Sequence, residues 1–336
     1  MKNRSIWMSV VLACLFGAWT LRPQSTLAGV GQFTNANVSA ADSDSAPPPV
    51  NFNAIALLRW YHINLTTTFA VGANPVGIAF DGSNMWVANF NDSTVTKLRA
   101  SDGAVLGTIK VGTNPYGVTF DGAHIWVSSN GGNITKLRAS DGKVLGTFSV
   151  GGALRFSTFD GANIWVANYL NNDVTKLRAS DGRVLGTFSV GTGPMGVAFD
   201  GANVWVTNYN SANVTKLRAS DGKLLGTFDV EVGPLGIAFD GANIWVANQG
   251  GNVTKTRASD GELLGSFPAG KGPVGVAFDG TNIWAANANS NNVTKLRASD
   301  GKFLGTFGIG RNPFVVAFDG ANIWVGNQQS NTISKL

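Results

Sequence analysis

The chain has 336 residues, of which 44% are apolar and 13% charged, with a formal net charge of +5 and a single cysteine. Lys2, Arg4 and Arg22 lie in a predicted leader, and without them 22 basic residues face 20 acidic ones. That balance is too small to indicate a nucleic-acid binder. Once the leader with Cys14 is removed, a disulfide framework is excluded as well.

Residues 1–28 have the pattern of an export signal. A basic start is followed by an apolar run over residues 6–19 and by Thr26-Leu27-Ala28, a plausible cleavage site. The run is short for a membrane span. The sequence therefore predicts a secreted or periplasmic protein with no transmembrane segment in its mature form. An alternative is a lipoprotein anchored through Cys14, because Val11-Leu12-Ala13-Cys14 resembles a lipoprotein box.

Residues 29–62 form a predicted flexible linker. This stretch is rich in Gly, Asn, Ser and Ala and contains the run Pro47-Pro48-Pro49. Such a composition is typical of a tether. The folded domain is expected over residues 63–336.

A segment of about 40 residues then recurs seven times. The Asp of a Phe-Asp-Gly step recurs every 39 or 40 residues, at Asp81, Asp121, Asp160, Asp200, Asp240, Asp279 and Asp319. A Trp follows each Asp by five positions, at Trp86, Trp126, Trp165, Trp205, Trp245, Trp284 and Trp324. A fixed period of this size indicates a repeat architecture.

Each repeat predicts four short β-strands. In the first copy, apolar runs occur over 75–80, 85–89, 94–99 and 105–111. They are rich in Val, Ile, Thr, Phe and Trp and are bounded by turn residues. Asp-Gly favours tight hairpins, so both Asp-Gly steps are predicted turns. Four antiparallel strands per repeat form a propeller blade. The sequence therefore predicts an all-β, seven-bladed β-propeller.

The chain ends predict how the ring closes. The last repeat stops after its third strand, at Thr332–Leu336, whereas Leu65–Gly72 resembles the fourth strand of other copies, such as Leu145–Gly151. The N-terminal strand is therefore expected to complete the last blade. Closure removes two exposed sheet edges. A closed ring of this kind is expected to be a monomer.

Residues present in every copy are interpreted as scaffold. The seven Trp are expected between blades, and the seven Asp in turns rather than at a metal. Thirteen Lys and Arg lie two residues apart on the third strands, so they share one face. They form either a cationic belt or a solvated strand with each base near a repeat Asp or a carbonyl. The second interpretation is favoured, and no nucleic-acid partner is expected.

Variation between copies indicates where a site could lie. The residue after the repeat Pro lies on the innermost strand and changes from blade to blade: Val76, Tyr116, Arg155, Met195, Leu235, Val274 and Phe314. Nearby loops add Glu231, Lys271 and Arg311. The predicted ligand-binding residues at the channel mouth are Arg155, Tyr116, Met195, Phe314, Arg311 and Lys271. They would suit a small anionic or aromatic ligand, and drift among copies is the alternative.

No catalytic set, metal site or cofactor is predicted. The chain has two histidines, His62 and His124, neither with an obvious partner, and two glutamates, Glu231 and Glu262. General acid–base catalysis needs a positioned proton acceptor, and a metal needs converging ligands. These residues do not supply either pattern.

The repeat resembles a bacterial propeller family. The pattern Pro-x-Gly-Val-Ala-Phe-Asp-Gly-x-Asn-Ile-Trp-Val-Ala-Asn, followed by Val-Thr-Lys-Leu-Arg-Ala-Ser-Asp-Gly, is similar to YncE-like, NHL-type and streptogramin-lyase-like propellers. The resemblance covers residues 64–336 and implies the seven-bladed fold. Its members include exported proteins of unknown role, binding proteins and a few enzymes. The His and Glu set of the lyases and the Glu-Asn-Asp metal site of the lactonase propellers are not recognised here.

Three functions remain open at the level of sequence. The first is an exported, non-catalytic propeller that binds a small ligand or a protein partner through its variable face. The second is a lyase- or lactonase-like enzyme. The third is a structural cell-surface protein.

Overall fold

The computed structural model describes residues 67–336, which form 28 β-strands in seven four-stranded sheets. The predictions made for the export signal, for Cys14, for the linker and for His62 lie outside the described residues. Within residues 67–336 there is no helix that could cross a membrane.

The seven sheets are the blades of the propeller, numbered in chain order. Blade one consists of β2 Pro75–Phe80, β3 Asn84–Asn89, β4 Thr94–Arg99 and β5 Val105–Lys110. Blade two consists of β6 Pro115–Phe120, β7 His124–Ser129, β8 Asn133–Arg138 and β9 Val144–Ser149. Blade three consists of β10 Leu154–Phe159, β11 Asn163–Asn168, β12 Asp173–Arg178 and β13 Val184–Ser189. Blade four consists of β14 Pro194–Phe199, β15 Asn203–Asn208, β16 Asn213–Arg218 and β17 Leu224–Asp229. Blade five consists of β18 Pro234–Phe239, β19 Asn243–Asn248, β20 Asn252–Arg257 and β21 Leu263–Pro268. Blade six consists of β22 Pro273–Phe278, β23 Asn282–Asn287, β24 Asn292–Arg297 and β25 Phe303–Gly308. Blade seven is β26 Pro313–Phe318, β27 Ile323–Asn327, β28 Thr332–Lys335 and β1 Thr67–Ala70.

The predicted ring closure is confirmed. Strand β1 pairs antiparallel with β28, with Thr67 opposite Lys335 and Ala70 opposite Thr332. Phe69 of β1 stacks on Trp324 with 5.7 Å between ring centres. The N-terminal strand therefore supplies the outer strand of the last blade, and the seven-bladed fold is as the repeat predicts.

Each repeat Asp organises its own turn, as expected. In blade one, Asp81 Oδ1 accepts the backbone N–H groups of Ser83 and Asn84 at 2.9 and 2.7 Å, and Gly82 has a φ of 94°. Asp81 Oδ2 accepts the indole N–H of Trp86 at 2.7 Å. The Trp contact recurs in all seven blades at 2.7–2.8 Å. The Asp therefore fixes both the turn and the buried Trp beside it.

The repeat tryptophans form the contacts between blades. Six of them are 0% exposed and Trp284 is 7% exposed. Trp86, for example, packs with Val118, Ile125 and Leu137 of blade two. Each buried aromatic side chain removes ~150–250 Å² from water. The ring is therefore held by seven similar apolar junctions.

The third-strand lysines are not solvated, which corrects the sequence interpretation. Lys97 lies over the Trp86 ring at 4.9 Å, and its Nζ donates to the carbonyl oxygens of Ala139 and Ser140 in blade two at 2.7 and 3.0 Å. Six of the seven lysines have the predicted carbonyl partners, which lie on the adjacent blade because the lysine side chain spans the junction. The lysines therefore do not form an exposed cationic belt.

The third-strand arginines behave as expected. Arg99 pairs with Asp102 at 2.8 Å, and both side chains are about half exposed. Equivalent pairs occur in the next five blades. These solvent-exposed pairs contribute little to stability.

Candidate ligand-binding site at the channel mouth

The innermost strands place an apolar cluster on the propeller axis. Met195, Leu235 and Val274 are buried, and Tyr116 and Phe314 pack against them. Because these residues come from five blades, they can meet only where the blades converge. The cluster forms the predicted ring at the mouth of the channel.

Aromatic rings make up one side of this mouth. Tyr116 packs edge-on against Phe156 and Phe314, with ring centres 5.1 and 6.0 Å apart. Phe156 and Phe314 stack at 6.4 Å. Below them, a cavity of about 150 Å³ lies between the innermost strands, lined by Ile78 and Val118 among others. This volume is below the ~300 Å³ at which ligand pockets usually begin. A ligand is therefore expected at the mouth rather than inside the channel.

Arg155 is held between two tyrosines at this mouth. The centre of its guanidinium lies 4.8 Å from the ring centre of Tyr116 and 4.8 Å from that of Tyr169. Its Nη1 donates to Asn130 Oδ1 at 2.7 Å and to the Leu154 carbonyl at 3.4 Å. The side chain is half-buried. Contacts with two aromatic rings and two hydrogen bonds thus fix the orientation of a cation at the mouth.

The backbone under Arg155 is anchored to blade two. The Ser128 hydroxyl accepts the Gly117 N–H at 2.9 Å and donates to the Arg155 carbonyl oxygen. The Thr119 hydroxyl lies 2.8 Å from the Ser157 hydroxyl. Neither pair depends on the Arg155 side chain, so blade three keeps its position when that side chain changes.

The residues that support Arg155 are themselves departures from the repeat. Most copies have Ala at the positions of Ser128 and Thr119, and Val or Ile at the position of Ser157. Most copies also have an aromatic residue or Gln where blade two has Asn130. These changes come from two neighbouring blades and contact one another in the structure. The Ser128 contact itself recurs in blade four, where Thr207 accepts the Gly196 N–H and donates to the Leu235 carbonyl oxygen. The contact that distinguishes blade three is therefore the bond from Arg155 to Asn130.

The electrostatics of the mouth favour an anion. Within residues 67–336, no Asp or Glu oxygen lies within 4.0 Å of Arg155. Burial raises the pKa of the Tyr116 hydroxyl to about 12, the Arg155 charge opposes this rise, and Tyr169 adds to it. Tyr116 therefore stays neutral and keeps its O–H donor at physiological pH.

The structure does not bring Lys271 and Arg311 to Arg155. Arg311 is exposed in the loop before β26, where its backbone N–H donates to Ser330 Oγ at 2.7 Å. Lys271 is exposed in an open depression of about 540 Å³ between blades five and six. The short loop at Gly250-Gly251 forms part of that depression. Within residues 67–336 neither side chain makes a hydrogen bond or a cation–π contact with the group around Arg155, and their part in ligand binding stays a prediction.

Asn130 and Tyr169 are site residues that the sequence analysis missed. Each directly follows the second strand of its blade, and that position also varies between copies: Phe90, Asn130, Tyr169, Tyr209, Gln249, Ala288 and Gln328. This variation was the signal that could have identified them. The residues that follow the second strands lie close to those that follow the repeat Pro, because both positions are on the same face of the propeller.

His124 has a partner, contrary to the sequence expectation. Its Nδ1 lies 3.2 Å from Asp121 Oδ2, where other copies place an Asn side chain on the same carboxylate. The residue lies at the Asp-Gly end of its blade, opposite the mouth. His124 is therefore not part of the Arg155 group. In the described part of the chain, no three His, Cys, Asp or Glu side chains converge on a metal-sized site.

Comparisons with known proteins agree with the fold. A family model described as outer membrane protein assembly factor BamB matches residues 91–225 and 170–314, which together cover two thirds of the chain. No curated protein sequence matches it.

Two solved structures illustrate the shared architecture. Kuenenia stuttgartiensis hydrazine synthase has a TM-score of 0.70 at 18% identity, over 78% of this chain and 95% of that one. A streptogramin B lyase structure has a TM-score of 0.69 at 18% identity, over 81% of this chain and 96% of that one. At this identity both show the fold alone. The finer attribution to YncE-like and NHL-type propellers remains a prediction.

Proposed function

The chain belongs to the family described as outer membrane protein assembly factor BamB, and we propose that its propeller is a binding module whose ligand seat is the mouth around Arg155. The proposed module acts after export and without a catalytic step. Arg155, Tyr116, Met195 and Phe314 supply the mouth, and Asn130 and Tyr169 complete it. Lys271 and Arg311 are exposed cations on two other blades and would assist the approach of an anion.

One observation carries this proposal: the residues that break the repeat are in contact with one another. The Arg155 guanidinium lies over the rings of both Tyr116 and Tyr169 and donates to Asn130, and all four positions vary between copies. A symmetric scaffold acquires function at sites where individual copies differ. The clustering supports a built site over scattered change.

A protein partner is the second candidate for the same face. The family description names BamB as an assembly factor for outer membrane proteins. The mouth and its loops form one continuous variable surface, whereas the opposite face repeats the same Asp-Gly turns. A partner that uses the variable face would contact the same residues as a small ligand.

The proposal is tested by a thermal-shift screen of residues 29–336, the predicted mature chain. The screen includes small acids, bases, sugars and aromatic compounds. A ligand that binds the folded state raises the melting temperature. The expected result is a shift for at least one class that is lost in Tyr169→Ala, which removes one wall of the mouth. Shifts that survive Tyr169→Ala and Arg155→Ala unchanged would contradict the assignment of the site.

A further inference from the structure

Most of the Arg155 guanidinium is already engaged by the protein. Its central carbon lies 4.8 Å from the ring centres of both Tyr116 and Tyr169, and Nη1 donates to Asn130 Oδ1 and to the Leu154 carbonyl oxygen. No hydrogen bond within residues 67–336 uses Nε or Nη2. The guanidinium thus retains one edge, with two parallel N–H donors, for a further partner.

The same edge binds carboxylates elsewhere in this chain. Nε and Nη2 of Arg178 donate to the two oxygens of Asp181 at 3.0 and 2.7 Å. Arg218 and Arg297 hold their turn aspartates in the same way. This fork matches the geometry of a carboxylate, and paired donors of this kind bind strongly. At Arg155 the fork is oriented but lacks an acid partner in the described part of the chain.

Nε and Nη2 of Arg155 are not among the fully buried polar atoms that lack a partner within residues 67–336, so this edge is accessible, and an anion bound there would supply the opposite charge that Arg155 lacks. We propose that the compensating group is a carboxylate of the ligand, bound side-on by Nε and Nη2 of Arg155. This inference rests on the proposed function, because it names the chemistry of the ligand at the same site. It adds that recognition depends on the acid group of the ligand.

The residues around Arg155 restrict the chemical class of the ligand further. A single guanidinium suits a monoanion, whereas phosphate sites usually combine several cations or backbone N–H groups. Tyr116 lies beside the guanidinium, and Phe156 and Phe314 pack against Tyr116, so the mouth offers apolar and aromatic contacts. The ligand is therefore a carboxylate attached to an apolar or aromatic body. Such a group is carried by a free organic acid and by the C-terminus of a peptide that ends in an aromatic residue.

The test compares acids with their neutral amides by calorimetric titration of residues 29–336. Benzoate and benzamide form the first pair. N-acetyl-Ala-Phe with a free C-terminus and the same peptide as its amide form the second. Arg155→Met removes the fork, and Arg155→Lys keeps the charge without it. Arg183→Met is the matched control, because it removes an exposed arginine on the opposite face.

At least one acid is expected to bind about 10- to 100-fold more tightly than its amide, the range expected for a hydrogen-bonded charge. Arg155→Met should abolish that preference, Arg155→Lys should restore only part of it, and Arg183→Met should leave it intact. Binding of benzoate alone assigns the site to a free acid. Binding of the peptide acid alone assigns it to a C-terminus.

Two outcomes would overturn the inference. If an acid and its amide bind equally, and both are lost in Tyr169→Ala, the mouth is a binding site but does not select carboxylates. If neither acid binds, or if an acid binds Arg155→Met as well as the parent, the carboxylate assignment is wrong. The proposed function itself fails only when the broader screen also shows no ligand that depends on the mouth.

Discussion

The Lys335 amine donates a hydrogen bond of 2.8 Å to the Ala100 carbonyl oxygen and so joins the last strand of the chain to the first blade. Lys97 makes the same contact with Ala139 one blade further on. Lys335 also lies over Trp324, at 5.1 Å, as the other lysines lie over their tryptophans. The closing junction therefore uses the same chemistry as the others, although its two sides are 235 residues apart.

Strand β1 should contribute more to stability than its four residues suggest. Phe69→Ala removes the ring that stacks on Trp324 and covers Gly103, so a loss of about 2 kcal/mol in the free energy of unfolding is expected for this partly buried Phe. Phe303→Ala is the control, since that ring is 57% exposed on an outer strand. Urea unfolding measures both. Equal, small losses of unfolding free energy in the two variants would show that β1 does not stabilise the closed propeller.

Replacing a third-strand lysine should cost more stability where its amine donates to backbone carbonyls than where it does not. Lys216, which is 7% exposed, donates to Ala258 and Ser259 at 2.6 and 3.2 Å. Lys216→Met should cost about 1–3 kcal/mol, because the carbonyl of the buried Ala258 loses its donor. Lys295 lies 4.7 Å from the Trp284 ring but has no such carbonyl within residues 67–336. Lys295→Met should therefore cost less than about 1 kcal/mol. The reverse order would contradict this account of the junctions.

Acid should destabilise the propeller through its repeat aspartates. At Asp240, burial opposes ionisation, but hydrogen bonds from Trp245, from Asn243 and from two backbone N–H groups outweigh it and lower the pKa below 3.8. The other six repeat aspartates show the same direction. A carboxyl with a lowered folded pKa stabilises above its unfolded pKa and loses that contribution as the pH falls through the folded pKa.

The urea midpoint should therefore be steady between pH 5 and 7 and should fall below about pH 4. Asp240→Asn removes one of the titrating groups, so its midpoint should fall less steeply. A midpoint that stays constant down to pH 2 would rule out this role for the aspartates.

Arg155 should be nearly neutral for stability. In Arg155→Leu, the loss of stacking on two tyrosines is offset by the removal of a half-buried charge, and Leu235 shows that the ring accepts leucine. The free energy of unfolding should change by less than about 1 kcal/mol. A loss of about 3 kcal/mol or more would mean that the contacts of Arg155 with Asn130 and the two tyrosines are structural. Thermal and urea unfolding of the parent and the variant give the answer.

The period of the repeat is sufficient to predict the fold. Asp-Gly steps and Trp at fixed spacing specify turns and buried strands, and the match between 65–72 and a fourth strand predicts the closure. The innermost strand likewise predicts the ring that contains Tyr116, Arg155, Met195 and Phe314. The repeat pattern is sufficient to predict the fold because every blade packs against its neighbour through the same residue types at the same positions.

Contacts between blades are harder to derive from the sequence. The face of the strand that carries Lys97 follows from alternation, but its acceptor on Ala139 depends on how adjacent blades are rotated. The same limitation explains why Tyr169 and Asn130 were not recognised. They reach Arg155 from different loops, so only the three-dimensional arrangement shows that they meet.

The most direct test of the account is hydrogen-exchange mass spectrometry with the compound that gives the largest thermal shift. Bound ligand should slow exchange in peptides that cover residues 128–131 and 153–157, where Asn130 and Arg155 lie. Exchange at the Asp-Gly turns of the opposite face, such as residues 160–163, should not change. Protection confined to those turns, or to the outer strands, would contradict a ligand seat at the channel mouth.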